Sequence, residues 1–493
     1  MRKLSRKGKV SLNVLAFIIL FGAVIIGTYF WQIRMQKPLE VDMGVMHHGE
    51  AGSNHAHGVA IPVTNNGALA MRACNEIIAE ASEAPLREFR LTAAQTVKEL
   101  DNGKSAKVWA FNGLVPGPEL RVTEGDRVRI VLNNKDINEG VTVHWHGIVL
   151  PCSQDGVAGV SQNAVKPGEQ FTYEFEAGYP GTYWYHSHQA SSEQVKKGLL
   201  GKLIVEPKND AFDYDEEDSL LIQQLNGTYL MNGSTKDWNI EAAPGSTVRV
   251  RVINAANETD TVSVNGAAYR IIAMDGHDLN EPGLLDNYEF QMGAGQRYDL
   301  LLQIPQQGKV IVASKKSGLK ATLGTGSDPV ISSDPSLFSF VDYGKPVSDK
   351  SKARLSFDRN YSVTLDQNLF VNTINGKSFH EIPPMMVEEG DHVKITITNA
   401  GGGDHPFHLH GHVFRVLSRN GQPLSGSPVY LDTLLTQKGE AFEVHVIADN
   451  PGLWMMHCHD LMHASMGMSM MFNYEGVTTP YRVGTKSGNL PDL

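Results

Sequence analysis

The chain has 493 residues, which corresponds to about three domains of ~150 residues each. With 41% hydrophobic and 20% charged residues, 48 Gly and 23 Pro, it has the composition of a turn-rich globular protein, which excludes a disordered, collagen-like or coiled-coil chain. The net charge is −11, and residues 1–35 hold six basic residues and no acidic one, so the remainder is even more acidic and binding to a nucleic-acid backbone is excluded.

Residues 1–35 have the pattern of a cytoplasmic basic tip and a membrane anchor. Five basic residues lie within residues 1–9, and the next 24 residues, 10–33, carry no formal charge. A helix of that length spans a bilayer, and Tyr29 and Trp31 lie near its end as interfacial aromatic residues do. We therefore expect an N-terminal transmembrane helix that anchors the body on the extracytoplasmic face of the membrane. The alternative is a cleaved signal peptide and a secreted protein.

Residues 36–85 are predicted to form a tether between the anchor and the body. The stretch 46–58 is rich in small polar residues and contains His47, His48, His55 and His57. Histidine-rich tracts can bind metal ions. We favour a solvated linker for this stretch, and the role of its histidines stays open.

The body of the chain contains an internal repeat of two units. The first unit consists of a glycine turn, a run of alternating apolar residues and a final asparagine. The second unit begins with glycine, and both units occur three times along the chain. The first unit occurs at 122–134, 242–254 and 387–399, and the second at 168–175, 295–302 and 439–446. Alternation with a period of two predicts half-buried strands, so we expect an all-β fold of three β-sandwich copies. The expected domains are 86–208, 209–346 and 347–480.

The first and third copies contain pairs of histidines that the second copy lacks. There are four His-x-His pairs: His144/His146, His186/His188, His408/His410 and His457/His459. Residues i and i+2 of a strand point to the same face, so each pair directs two imidazoles to one place. Eight imidazoles at the contact between two domains could hold several metal ions.

A second metal site is predicted around the last histidine pair. Cys458 lies between two of the paired histidines, so its side chain is expected to point to the opposite face of the strand. His463 follows it by five residues and Met468 by ten, and His405 precedes the third pair. A thiolate, two imidazoles and a thioether are the ligands of a blue-copper electron-transfer site.

These motifs resemble those of the multicopper oxidases, the laccase-like family of three cupredoxin domains, in its bacterial form. The matching segments are HWHG (144–147), WYHSH (184–188), HPFHLHGH (405–412) and HCHDLMHASMGM (457–468), and the resemblance covers about residues 86–475. It implies a Greek-key cupredoxin fold for each domain and four copper ions. It also implies one-electron oxidation of a reductant at type 1 copper, coupled to reduction of O₂ to water at a trinuclear cluster. For a bacterial protein, the predicted anchor would place the body at the cell surface or in the periplasm.

The resemblance also implies a ligand for each copper ion. The type 1 ligands would be His405, Cys458, His463 and axial Met468, and the type 2 ligands His144 and His408. The type 3 pair would be bound by His146, His186, His188, His410, His457 and His459. The family places an acidic proton donor after HWHG, and Asp155 matches that position; its alternative role is to cap the following turn. A second carboxylate that many bacterial relatives have after the last type 1 histidine is replaced by Ala464.

Two cysteines remain once Cys458 is assigned to copper. Outside the cytoplasm a disulfide between Cys74 and Cys152 is favoured. It would tie the segment before the first domain to the loop that follows HWHG.

The reductant is less clear from the sequence than the reaction. We expect laccase-like oxidation of phenols and aromatic amines, and the alternative is oxidation of cuprous, ferrous or manganous ions in copper tolerance or metal homeostasis. Met462 and Met466 lie near His463, and thioethers prefer Cu(I). The methionines within strands, Met455, Met456, Met470 and Met471, are expected to pack in the core. The oligomeric state stays open.

Overall fold

The computed structural model describes residues 17, 20–22, 38–44, 71–79, 82–347, 355–367 and 371–492. This part of the chain is built almost wholly of strands, which form three successive pairs of sheets and a two-stranded ribbon. The α-helices with assigned ends are Ser191–Lys197 and Leu461–Ser465, and the 3-10 helices are Cys74–Glu76, Cys152–Gln154 and Phe379–Glu381. The all-β expectation is confirmed.

The first sandwich has two four-stranded sheets. One sheet contains, in spatial order, Ser105–Phe111, Leu86–Glu99, Arg127–Asn134 and Gln170–Glu176; the other contains Gly117–Thr123, Leu200–Glu206, Gly181–His186 and His144–His146. Trp145 on one sheet packs against Tyr173 and Phe175 on the other, with ring centroids 5.3 and 5.4 Å apart. These rings close the core between the sheets.

The middle sandwich has two six-stranded sheets. One contains Thr228–Met231, Glu216–Leu225, Thr247–Asn254, Arg297–Gln303, Tyr269–Met274 and His277–Asp278; the other contains Trp238–Ile240, Lys320–Thr325, Gly308–Ser314, Asp260–Asn265, Tyr288–Met292 and Ser336–Leu337. Phe290 and Tyr298 stack at 5.3 Å between the two sheets.

The third sandwich carries two methionine-rich strands, Leu453–Cys458 and Ser469–Tyr474. One sheet contains Asn372–Ile374, Arg359–Gln367, His392–Asn399, Ala441–Ile447, Phe414–Arg419 and Gln422–Pro423, with Tyr430–Leu431 beside Phe414–Arg419; the other contains Met385–Val387, Ser469–Tyr474, Leu453–Cys458, His405–Leu409 and Thr433–Thr436. Met455, Met456, Met470 and Met471 are buried, as expected for core residues.

The two repeated units form the same pair of strands in each sandwich. The strand of the first unit lies antiparallel to the strand of the second, and it has a parallel neighbour on its other side. The antiparallel pairs are Arg127–Asn134 with Gln170–Glu176, Thr247–Asn254 with Arg297–Gln303, and His392–Asn399 with Ala441–Ile447. Alternate residues of the first strand, Val128, Ile130 and Leu132, are fully buried, which is the predicted period of two.

The described parts of the predicted tether are docked on the body instead of extending from it. Met43 and Cys74 are fully buried. Val41 forms a bridge with Val483, and Arg72–Ala73 runs parallel to Val477–Thr478 in the ribbon. The expected disulfide between Cys74 and Cys152 is confirmed.

The predicted transmembrane helix over 10–33 lies largely outside the described residues, where only 17 and 20–22 are included and are helical. Among the described residues, no helix combines the length and the apolar run needed to cross a bilayer. The histidine tract 46–58 also lies outside the described residues.

Candidate metal centre

The four histidine pairs lie on or beside paired strands of the first and third sandwiches. In the first sandwich, His144 pairs with His186 across antiparallel strands. In the third, His408 pairs with His457 in the same way. The second histidine of each pair lies two residues further along its chain, so the alternation of side chains brings it to the same face.

The structure brings all eight paired histidines together in one buried group, which we call the eight-histidine cluster. Its members are His144, His146, His186, His188, His408, His410, His457 and His459, and each is at most 2% exposed. The rings of His144 and His410 stack at 3.8 Å and those of His146 and His408 at 3.9 Å. The cluster is therefore shared between the first and third sandwiches.

The ring nitrogens of the cluster divide into those with a partner and those without one. Nδ1 of His144 lies 3.0 Å from the carbonyl oxygen of Asp155, and Nδ1 of His186 lies 3.1 Å from that of Ser187. Nε2 of His186 has no hydrogen-bond partner in the described chain. A buried polar atom without a hydrogen-bond partner lowers the stability of the fold. The lone pair on Nε2 of His186 is therefore suited to bind a cation.

Ring nitrogens without a hydrogen-bond partner in the part of the chain that the structure describes also occur on other histidines of the cluster. Buried nitrogens that lack a hydrogen-bond partner among the described residues include His146 Nδ1, His186 Nε2 and both ring nitrogens of His188 and His459. Two further pairs of nitrogens face each other: His144 Nε2 and His408 Nε2 lie 3.4 Å apart, and His410 Nε2 and His457 Nε2 lie 3.1 Å apart. A set of unpaired imidazole nitrogens directed inward suits copper.

Burial keeps most of these imidazoles neutral, which is the form that binds metal. It lowers the pKa of His186, His188 and His459 well below 6.5, and neighbouring histidines lower these pKa values further. The pKa of His408 falls to about 4 for the same main reason, although Asp432 opposes the shift.

Asp155 lies directly behind two members of the cluster. Its Oδ2 accepts a hydrogen bond from Nδ1 of His410 at 2.9 Å, and its Oδ1 lies 3.1 Å from Nδ1 of His144. The next residue, Gly156, has φ +75°, and a Cβ there would lie 1.8 Å from the carbonyl oxygen of Val143. Glycine therefore lets the loop that carries Asp155 pack against the strand that carries His144.

Two further buried carboxylates, which the sequence did not predict, contact the cluster. Asp432 Oδ1 lies 3.0 Å from His146 Nε2. Asp492 Oδ2 lies 3.2 Å from His457 Nδ1 and 3.5 Å from His188 Nε2. A signal for Asp432 was its position in the apolar stretch 429–435, where an aspartate is unusual. No local signal pointed to Asp492.

Cys458, His405 and His463 form a second group, which we call the cysteine site. The Sγ atom of Cys458 lies 3.7 Å from Nδ1 of His405 and 3.6 Å from Nδ1 of His463. Burial raises the pKa of the Cys458 thiol well above its usual value, so a bound cation would be needed to hold the thiolate. Met468 is fully buried, and its backbone bonds to both Cys458 and His463.

The short helix Leu461–Ser465 positions His463. Asp460 caps this helix by accepting hydrogen bonds from the backbone N–H groups of Met462 and His463. Nε2 of His463 lies 2.8 Å from the amide nitrogen of Gln367 and 3.6 Å from Asp460 Oδ2. The His463 side chain is 14% exposed, whereas His405 and Cys458 are fully buried, so solvent reaches the site through His463.

Comparison with known proteins identifies the family. Models described as multicopper oxidase match residues 92–210, 181–327 and 348–476. Multicopper oxidase MmcO of Mycobacterium tuberculosis is 26% identical over 494 residues, which cover 86% of this chain and 96% of that protein. The iron transport multicopper oxidase FET3 of Gibberella zeae is 29% identical over 483 residues, which cover 80% of this chain and 77% of that protein.

A solved structure gives the same result. The crystal structure of a multi-copper oxidase from Pseudomonas thermotolerans is 30% identical, covers 80% of this chain and 100% of its own, and superposes with a TM-score of 0.67. The chain therefore belongs to the multicopper oxidase family and is a copper-dependent oxidoreductase that uses O₂.

Proposed function

We propose that this enzyme couples four one-electron oxidations of a reducing substrate to the reduction of O₂ to two waters, with phenols and aromatic amines as laccase-like substrates. The observation that carries the proposal is the strand Leu453–Cys458, which connects the two candidate sites. Cys458 belongs to the cysteine site, while its chain neighbours His457 and His459 belong to the eight-histidine cluster. Covalent bonds of three consecutive residues thus link the sites.

The cysteine site is the proposed type 1 position. His405, Cys458 and His463 would bind the copper ion, with Met468 as the axial ligand. A thiolate with two imidazoles and a weak thioether favours rapid exchange of single electrons. A reductant would approach the exposed edge of His463, the one ligand of this site that reaches solvent.

The eight-histidine cluster is the proposed position of the other three copper ions. His144 and His408, with Nε2 atoms 3.4 Å apart, would hold type 2 copper. The type 3 pair would be held by His146, His186, His188, His410, His457 and His459. Copper bound in these positions supplies the redox chemistry with O₂ that the side chains lack. The surrounding apolar core keeps bulk water away from the cluster.

Reduction of O₂ to water consumes protons, and we propose that Asp155 delivers them. Its carboxylate lies between His144 and His410 and is 1% exposed. A carboxylate in this position can hold a proton on Oδ1 or Oδ2 at the edge of the cluster. It also orients both rings, since each presents Nδ1 to it and leaves Nε2 for metal.

A second candidate function is oxidation of metal ions, and specific residues beside His463 favour it. Met462 is 39% exposed, and the sulfur of Met466 accepts a contact from the Asn372 amide at 3.6 Å. Asp460 adds a carboxylate 3.6 Å from the His463 ring. Thioethers attract Cu(I), and a carboxylate attracts cations in general.

Oxygen uptake by the copper-loaded protein tests the proposal. We expect O₂ consumption with a phenol and a blue protein, and we expect Cys458→Ser to abolish both the colour and the uptake. The double variant Met462→Ala/Met466→Ala separates the substrates: selective loss of Cu(I) oxidation supports the metallo-oxidase, and an equal rate with Cu(I) removes the methionine argument. A holoprotein with one copper per chain would contradict the whole proposal.

We also propose that the body works outside the cytoplasm, as a membrane-anchored or secreted protein. The disulfide between Cys74 and Cys152 supports this location, because such bonds persist in oxidising compartments. Immunoblotting of fractionated cells tests it, and a purely cytoplasmic pool would contradict it.

A further inference from the structure

The middle sandwich has no histidine pair, yet one of its side chains reaches the region behind the eight-histidine cluster. Arg297 is fully buried and donates to both carboxylate oxygens of Asp432, at 2.8 and 2.6 Å. Its Nε donates to the carbonyl oxygen of Thr182 in the first sandwich at 2.9 Å. Arg297 therefore joins all three sandwiches through one guanidinium, with the two-pronged geometry that makes arginine–carboxylate pairs strong.

A second residue of the middle sandwich supports the same contact. Asp275 is fully buried, and its Oδ1 accepts a hydrogen bond from the backbone N–H of Arg297 at 3.0 Å. Its Oδ2 accepts from the backbone N–H of Thr433 in the third sandwich at 3.1 Å. Both ends of the Arg297–Asp432 contact are thus held from the middle sandwich.

The first sandwich leaves room for this contact with a glycine. Gly147, the residue after His146, has φ +87°. A Cβ there would lie 2.4 Å from Nη2 of Arg297 and 2.6 Å from Oδ2 of Asp432. Any other residue would therefore collide with both partners of the ion pair.

The ion pair determines which nitrogen of His146 carries the proton. The hydroxyl of Thr433 donates its one proton to Oδ1 of Asp432 at 2.8 Å, so towards His146 Nε2, 3.0 Å away, it can only accept. Asp432 Oδ1 is also an acceptor and lies 3.0 Å from the same nitrogen. Nε2 of His146 must therefore carry the hydrogen, which leaves Nδ1, the nitrogen without a partner, as the lone pair.

The same segment places His408 in the opposite tautomer. The carbonyl oxygen of Asp432 accepts from Nδ1 of His408 at 2.9 Å, so Nε2 keeps its lone pair and faces His144. Two neighbouring rings that stack at 3.9 Å thus present different nitrogens to the cluster. One residue, Asp432, sets both.

We propose that Arg297 is a positioning residue of the eight-histidine cluster: by fixing Asp432, it holds His146 ready to bind copper through Nδ1 and His408 through Nε2. This inference rests on the proposed copper sites and deepens them. It gives the copper-free middle sandwich a part in building the trinuclear site. Hydrogen-bond partners of metal-binding histidines contribute about 10–100-fold to metal affinity. Loss of the contact between Arg297 and Asp432 should therefore lower the copper affinity of the trinuclear site selectively.

The test uses Arg297→Lys, which keeps the charge but loses the two-pronged contact. Arg251→Lys is the matched control, because Arg251 is equally buried in the middle sandwich. It bonds to the Thr182 hydroxyl at 2.8 Å, and its ion pairs go to Asp299 and Glu217 instead of to a residue behind the cluster. Copper per chain is measured during titration with a chelator, alongside the type 2 EPR signal and the blue type 1 absorption.

We expect Arg297→Lys to release the trinuclear copper at about 10–100-fold lower chelator concentration and to change the type 2 EPR signal, with the type 1 absorption retained. Arg251→Lys should behave as wild type. Asp432→Asn, which keeps the shape of the side chain and removes its charge, should reproduce the effect of Arg297→Lys.

Wild-type copper release and EPR signals in both Arg297→Lys and Asp432→Asn would overturn the inference. So would parallel loss of type 1 and trinuclear copper in these two variants, or misfolding of both while Arg251→Lys folds. Either of these last two results would indicate a purely structural role for the ion pair. If the wild-type protein itself binds no trinuclear copper, the proposed function fails instead.

Discussion

Asp155 Oδ2 accepts a hydrogen bond from Nδ1 of His410 at 2.9 Å, so a carboxylate of the first sandwich orients a ring of the third. The two residues are 255 positions apart in the chain. The contact closes the cluster from outside and leaves Nε2 of His410 directed inward, 3.1 Å from Nε2 of His457. Both a proton carrier and an orienting group are expected at such a position.

Replacement of Asp155 by Asn should slow the oxygen half of the reaction. The amide cannot carry the proton, and loss of a proton-transfer group typically costs about 10²–10⁴-fold in rate. We expect a fall of at least about 10²-fold in steady-state O₂ uptake, with the bleaching of the blue colour by substrate under argon unchanged. Asp126→Asn, at another buried aspartate of the first sandwich, is the control and should keep full uptake. A normal rate in Asp155→Asn would rule out the proton role.

Removal of the disulfide should destabilise the protein. The bond between Cys74 and Cys152 links residues 78 positions apart, and disulfides over such loops contribute typically about 2–4 kcal/mol. We expect Cys74→Ala/Cys152→Ala to unfold in urea at a clearly lower midpoint. The control Cys458→Ser removes a cysteine but no disulfide, so its copper-free form should keep the disulfide-dependent stability. An unchanged midpoint in the double variant would show that the docked segment contributes nothing through this bond.

The histidine pairs and the cysteine site were predictable because their information is local. Each His-x-His pair follows from the period of two on a strand, and the repeat showed which sandwiches carry them. The ligand spacing from Cys458 to His463 lies within one strand and one short helix. Such spacings involve residues that are close in the sequence, which is why they could be recognised from the sequence alone.

The carboxylates of Asp432 and Asp492 behind the cluster were not predictable in the same way. Asp432 meets Arg297 across 135 positions, and the tail that carries Asp492 returns about 300 positions to meet Gln189 and Ser191. The burial of Met43 was missed for a related reason: it depends on pairing between segment 38–44 and the tail. Only the packed fold brings such segments together.

The copper-free protein should lose stability as the pH falls from 7 towards 5. Burial lowers the pKa of His412 to about 4, and its Nε2 lies 2.7 Å from the Tyr474 hydroxyl. An unfolded histidine has a pKa of about 6.5. Below that pH the unfolded chain therefore binds protons that the folded chain does not, which favours unfolding, and His405 and His408 act in the same direction.

The variant His412→Gln measures one share of this effect. It removes one buried histidine that is left neutral in the folded state, so the difference in unfolding free energy between pH 7 and pH 5 should shrink by about 2 kcal/mol. Urea titrations at the two pH values give this difference. His380→Gln, at a histidine on the surface, is the matched control for the substitution itself. If the unfolding free energy of His412→Gln depended on pH as strongly as that of the wild type, the lowered pKa of His412 would be contradicted.

Asp492→Asn should impair the reaction with O₂ while leaving electron entry intact. Asp492 Oδ2 lies 3.2 Å from His457 Nδ1, and its Oδ1 contacts the hydroxyl of Ser191, so the tail holds a carboxylate behind two histidines from different sandwiches. Neutralising a carboxylate that supports metal-binding histidines typically lowers metal affinity or activity by about 10–100-fold. We expect the fully reduced protein to be reoxidised by O₂ at least about 10-fold more slowly, with the rate of type 1 reduction unchanged.

The conservative variant separates the charge of Asp492 from the packing of the tail. Asp492→Glu keeps a carboxylate, and we expect it to recover part of the reoxidation rate. Asn489→Ala loosens the tail instead, because Asn489 bonds to the Ala164 N–H at 2.9 Å and to the carbonyl oxygen of Arg482. If Asn489→Ala slows reoxidation as much as Asp492→Asn, and Asp492→Glu recovers nothing, the carboxylate itself has no part. The tail would then act by closing the site, because loosening it gives the full loss and restoring the charge has no effect.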